Sequence, residues 1–132
     1  EWAKRIPGSE ESIYQGGFHF VDFTDINNPV ETAIYQVPEV GSHNHWVEGD
    51  ILYAGYYYGG IRVLDISGEL LGDLYAQGRE IAFFEGRDPN GKIPNETNVW
   101  GVIPYKGLIY FADHYNGLWA VKLVDEEPMG TN

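Results

Sequence analysis

His43 and His45 stand two residues apart on a stretch that reads as a β-strand, and a period of two sends both imidazoles to one face. Two imidazoles on one face are half of a divalent-cation site, and Asp113 and His114 are the residues that would complete it. Zinc asks for three or four well-placed donors, so the competing reading has His43 or His45 bonding neighbouring backbone, with Asn44 as a turn partner. The second candidate surface is aromatic. Trp46, Tyr56, Tyr57 and Trp100 belong to a population of rings that either pack between layers or line a face for a sugar, a peptide or a partner protein.

Other motifs carry less. Asp88-Pro89-Asn90-Gly91-Lys92 has the look of a calcium loop, but Lys92 takes a ligand position and no Glu stands at the twelfth place, so a polar connecting loop is expected. Asn95-Glu96-Thr97 is a glycosylation sequon on a loop, a triplet that also arises by chance. Asp22 and Asp65 recur at the ends of equivalent strands, where a carboxylate accepts backbone N–H groups of the following turn. No phosphate-binding glycine loop, nucleophile elbow or HExxH motif is present.

The elements that must position these residues are short strands. Strand signals run over 17–24, 30–37, 43–48, 51–57, 60–66, 79–85, 99–103, 108–113 and 118–123. Between them lie turn signals: Asn27-Asn28-Pro29, Glu48-Gly49-Asp50, Tyr58-Gly59-Gly60, Lys106-Gly107 and Asn116-Gly117. Residues 68–78 read as a loop or a short helical turn, and 86–98 as a long polar loop. Residues 1–16 have no clear period and form an irregular lead-in, while 126–132 are an acidic tail.

Composition narrows the function classes. The 132-residue chain is 43% hydrophobic and 15% aromatic, enough for a packed core in an all-β domain. Its formal net charge of -12 argues against nucleic acid and against anionic lipid. The absence of cysteine excludes disulfides, thiolate metal sites and cysteine nucleophiles. No apolar run is long enough to span a membrane.

The chain repeats itself. A shift of 57 residues lays Tyr53 on Tyr110, Tyr58 on Tyr115, Gly60 on Gly117 and Ile61 on Leu118. A shift of 43 lays Gly17 on Gly60, Asp22 on Asp65 and Thr24 on Ser67. A unit of about 40 to 45 residues with four strands is the size of a propeller blade. Gly60-Ile61-Arg62-Val63-Leu64-Asp65-Ile66-Ser67, Gly17-Phe18-His19-Phe20-Val21-Asp22-Phe23-Thr24 with Asn28-Pro29-Val30, and the ending Trp100-Gly101-Val102 to Gly117-Leu118-Trp119-Ala120-Val121-Lys122-Leu123 resemble the LVIVD-repeat family of β-propellers. Two positions depart from the family pattern: Gly68-Glu69-Leu70 replaces the Asp-Pro turn, and Lys122 replaces the strand-ending Asp.

That resemblance implies an all-β fold of four-stranded antiparallel blades. A half blade would occupy 17–37, a full blade 43–85 and a terminal blade 99–123, within a partial propeller over 17–125. Propellers typically have four to eight blades, so a ring would be closed by the missing remainder of a longer protein or by other chains. By the blade alignment the strand holding His43 and His45 lines the central channel, the usual place for an ion. The resemblance also implies export to the periplasm, cell surface or extracellular space. The expected function is a non-enzymatic binding or scaffold domain making protein or ligand contacts. The alternative is a metal-dependent hydrolase or lyase at the channel mouth, with a divalent ion as its cofactor.

Overall fold

The computed structural model describes residues 16–124; the expected lead-in, Gly16 apart, and the expected tail fall outside that range. The described residues are all-β, with three sheets. The first contains β1 (Phe18–Asp22), β2 (Val30–Tyr35) and a two-residue β6 (Gly72–Asp73), in the order β1-β2-β6. The middle sheet is β3 (Ser42–Glu48), β4 (Ile51–Tyr56), β5 (Gly60–Asp65) and β7 (Glu80–Phe84), each strand antiparallel to the next. The third is β8 (Val99–Tyr105), β9 (Leu108–Asp113) and β10 (Gly117–Val121), also antiparallel. The strands fall where the alternating and aromatic runs placed them. Residues 68–78 add one element to the expected loop or short helical turn: β6 pairs parallel to β2 and ties the middle unit to the first sheet, and a turn follows it, with the Gln77 N–H donating to the Asp73 carbonyl at 3.2 Å and the Gly78 N–H to the Tyr75 carbonyl at 3.0 Å.

The turns follow their residue types. Lys106 and Gly107 join β8 to β9 with φ values of 49° and 76°, and two consecutive left-handed residues match the strand twist in a two-residue hairpin. Asp22 and Asp65 do what their position implied. The Asp22 carboxylate accepts the Thr24 N–H at 2.8 Å and the Thr24 hydroxyl at 2.6 Å; Asp65 accepts the Ser67 N–H at 2.8 Å. These hydrogen bonds favour the ionised form and hold both carboxyls below the usual aspartate range. A depressed folded-state pKa contributes stability above the unfolded value and loses it as pH falls through the folded one. The stability gap between the parent protein and Asp65→Ala should therefore stay constant from about pH 5 to 8 and narrow below about pH 4, read from urea midpoints.

The two central strands of the middle sheet, β4 and β5, are buried on both faces. From β4, Leu52, Ala54 and Tyr56 pack on Ala33, Tyr35 and Val37 of the first unit, with Leu64 and Leu74. From β5, Ile61 and Val63 pack on Val99, Val102, Ile109 and Phe111 of the third sheet. This explains why β5 shows no inside–outside alternation: five of its six residues are buried. Each fully buried large side chain contributes about 1.5–3 kcal/mol relative to its exposed state. A polar cluster sits in the first interface. Arg62 is buried, with Nε donating to the Gly59 carbonyl at 2.9 Å and Nη1 3.4 Å from both Glu80 carboxylate oxygens. The Tyr35 hydroxyl donates to Glu80, and burial first, then that carboxylate, pushes the Tyr35 hydroxyl far above its usual pKa. Glu80 thus has both a cation and a hydroxyl beside it, which its partial burial requires.

Candidate functional site

His43, Tyr57, Trp100 and His114 come together on the surface between the middle and third sheets. His43 and Trp100 stack with centroids 5.2 Å apart and planes at 30°. Trp100 lies against His114 on centroids 5.3 Å apart at 39°. Tyr57 meets His43 edge-on at 5.2 Å and Trp100 edge-on at 6.4 Å. The result is a column of imidazole, indole and imidazole braced by a phenol. Trp100 remains 42% exposed, and both histidines are exposed.

Two bulges aim these rings. In β3 the register runs from Ser42 opposite Tyr56 to His45 opposite Ala54, so the strand holds one residue more than its partner. In β8, Val99 pairs with Asp113 and Gly101 with Ala112, which leaves Trp100 as the extra residue. A bulge interrupts the two-residue period and turns a side chain away from its regular face. That separates His43 from His45, which were expected to share a face. The His43 ring contacts Tyr57 and Trp100, whereas the His45 ring packs on Phe18 of the first sheet at 5.2 Å.

The backbone and a buried carboxylate hold the column. His43 Nδ1 lies 2.5 Å from the Trp100 carbonyl oxygen, and a carbonyl accepts only, so this nitrogen carries the proton. The Trp100 indole N–H donates to Asn98 at 2.5 Å. The Asn98 N–H donates to Asp113 at 3.1 Å, and the Asn98 carbonyl accepts the His114 N–H at 2.8 Å. Asp113, only 4% exposed, also accepts the Thr97 hydroxyl at 2.5 Å and the N–H groups of Tyr115 and Asn116 at 2.8 and 3.0 Å.

Several expected residues therefore have other surroundings. Asp113 points its oxygens at the 97–98 and 115–116 backbone and the Thr97 hydroxyl, an anchor rather than an open ligand. Among the described residues no group of three His, Cys, Asp or Glu side chains is placed to hold a metal ion, so His43, His45, Asp113 and His114 do not form one donor set. Tyr56, expected with the surface rings, is fully buried, because strand alternation in β4 turns it with Leu52 and Ala54 into the first interface. Its hydroxyl donates to the Tyr35 carbonyl at 3.2 Å. Trp46 is 47% exposed and lines a groove of about 350 Å³ with Gly101, Ile103, Tyr110 and Leu118. The sequon threonine, Thr97, is fully buried under its bond to Asp113. In the 88–92 loop, Asp88 accepts the Asn90 N–H at 2.7 Å, which is turn chemistry.

Sequence reasoning named Tyr57 and Trp100 as candidate ligand contacts but did not join them to His43 and His114. The only available signal was positional: a shift of 57 lays His43 on Trp100 and Tyr57 on His114, so the column is two equivalent pairs from neighbouring units. No protein-family model, no curated protein and no solved structure matches the chain.

Proposed function

We propose that this chain is part of a β-propeller acting as a non-enzymatic binding scaffold outside the cytoplasm, and that the His43–Trp100–His114 column is a contact surface. The carrying observation is the column itself: exposed rings, already stacked, with His43 Nδ1 bonded to the Trp100 carbonyl and the Trp100 indole N–H to Asn98. Rings held in one orientation lose little conformational freedom on binding. They suit a flat apolar face or a delocalised cation, and the net charge of -12 favours cationic partners.

The propeller reading is supported by the four-stranded antiparallel middle sheet flanked by two sheets that repeat parts of it. Export rests on the resemblance of the 17–24 and 60–67 stretches to LVIVD repeats. Ring closure is assigned to other polypeptide outside the described residues.

The test compares ligands and metal on the same protein. An arginine-rich peptide and a neutral oligosaccharide should each be titrated while the Trp100 indole N–H resonance is followed. At least one should shift that resonance, and Trp100→Ala should weaken its binding about tenfold, the loss of about 1–2 kcal/mol that a ring contact contributes. Stoichiometric binding of a divalent ion, abolished by His43→Ala, would overturn the metal-free reading and favour the metal-dependent alternative.

A further inference from the structure

Asparagine followed by glycine occurs twice, as Asn90-Gly91 in the 86–98 loop and as Asn116-Gly117 at the turn into β10. Such a pair is reactive by itself. A side-chain amide stands one residue before a backbone nitrogen that no Cβ shields, and asparagine is a thermolabile residue. The fold treats the two pairs differently.

Asn116 is clasped. Its side-chain Nδ2 donates to the Gly86 carbonyl at 2.6 Å and to the Glu96 carbonyl at 2.8 Å, which ties both ends of the 86–98 loop to the last hairpin. Its backbone N–H donates to Asp113 at 3.0 Å. Its Oδ1 is buried, with no hydrogen-bond partner among the described residues, and occupies the place that a Cβ on Gly91 would need. Asn90 is open. Its side chain is exposed and makes no hydrogen bond among the described residues. Its backbone N–H donates to the Asp88 carboxylate at 2.7 Å, and the Gly91 N–H to the Asp88 carbonyl at 3.1 Å. Only the second of these bonds must open before the Gly91 nitrogen can react, and it lies in a surface loop, where local opening is frequent.

We propose that Asn90 is a self-modification site of the folded protein, and that its rearranged product releases the Asn116 clasp. The deprotonated Gly91 nitrogen attacks the Asn90 Cγ. The N–Cγ bond forms, the Cγ–Nδ2 bond breaks, and Nδ2 leaves as ammonia, carrying a proton in place of the one Gly91 lost. Water then opens the five-membered imide. Hydrolysis at Cγ restores the ordinary chain with an aspartyl residue at position 90. Hydrolysis at the main-chain carbonyl carbon leaves an iso-aspartyl residue, whose chain runs through Cβ and Cγ. Water is the only co-reactant, and nothing is oxidised or reduced. The iso-aspartyl product inserts one backbone carbon directly before Gly91, the residue that packs on Asn116 Oδ1. The loop that carries both carbonyl partners of Asn116 must then shift. The site is independent of the propeller reading and of the aromatic column.

The test maps the intact chain by mass spectrometry after incubation in mildly alkaline buffer, folded and in urea, with fragmentation that separates aspartyl from iso-aspartyl. Unfolded, the two pairs should convert at similar rates. Folded, Asn90 should convert at least about tenfold faster than Asn116, the factor that two hydrogen bonds of ordinary strength supply together. In amide NMR the iso-aspartyl form should shift the Asn116 side-chain NH2 pair. Asn90→Asp, which adds the charge without the extra carbon, should leave that pair in place, and Asn90→Gln should leave it in place throughout the incubation. Equal conversion of Asn90 and Asn116 in the folded protein overturns the proposal, as does an Asn90 that stays intact while the unfolded chain converts. So does an unshifted Asn116 pair in the iso-aspartyl form, or an equal shift in Asn90→Asp.

Discussion

Gly60→Ala is expected to destabilise the protein by about 3 kcal/mol or more, a large share of the stability of a domain this size. Gly60 opens β5 at φ +72°, where an L side chain crowds its own backbone at a cost of about 1–2 kcal/mol. The added Cβ would also fall 2.2 Å from the Phe84 carbonyl oxygen and 2.8 Å from the Glu85 Cα. Neither atom belongs to a side chain that can rotate away. The β5–β7 pairing at Ile61 and Phe84 must open, and Glu80, which faces Arg62 from the same strand, moves with it. Gly117 is the equivalent residue and has φ +83°, but no atom lies within 4 Å of its would-be Cβ. Gly117→Ala should therefore cost only the backbone part, about 1–2 kcal/mol. Urea unfolding of the two variants checks this. Equal losses would show that close approach to β7 contributes nothing.

Asp113→Ala is the second large effect, about 3 kcal/mol. A buried carboxylate accepting the Thr97 hydroxyl and the N–H groups of Asn98, Tyr115 and Asn116 makes charge-assisted bonds, and its removal leaves those donors without an acceptor. The loss should reach the surface. Asn98 accepts the Trp100 indole N–H, so in Asp113→Ala the Trp100 resonance should broaden or move under conditions where the rest of the spectrum stays dispersed. Added zinc or calcium should leave the melting temperature of the parent protein unchanged, since the Asp113 oxygens already have donors. Metal-dependent stabilisation that vanishes in Asp113→Ala would reverse that assignment.

Much of the fold was legible because strands and tight turns have local signatures. Period-two runs located the strands, and Lys106-Gly107, Asp22 and Asp65 announced their turns through residue chemistry. The repeat showed that Gly60 and Gly117 occupy one position, yet not that only Gly60 touches a neighbouring strand. The candidate site was half legible. Tyr57, Trp100, His43 and His114 were all named, but for two separate surfaces, and His45, Tyr56 and Asp113 were placed beside them.

What the sequence by itself determined is the all-β class, the order of every strand but β6, the repeated unit and its carboxylate-capped turns. Each depends on residues within a few positions of one another. Tertiary structure alone decided which rings meet. One extra residue in β3 and another in β8 break the period on which the facing of His43 and His45 was argued. Whether Tyr56 is surface or core, and whether Asp113 is open to a ligand, depends on a second sheet and a distant loop coming to rest against them. Burial and hydrogen-bond partnership are properties of segments brought together from afar, and no local pattern encodes them.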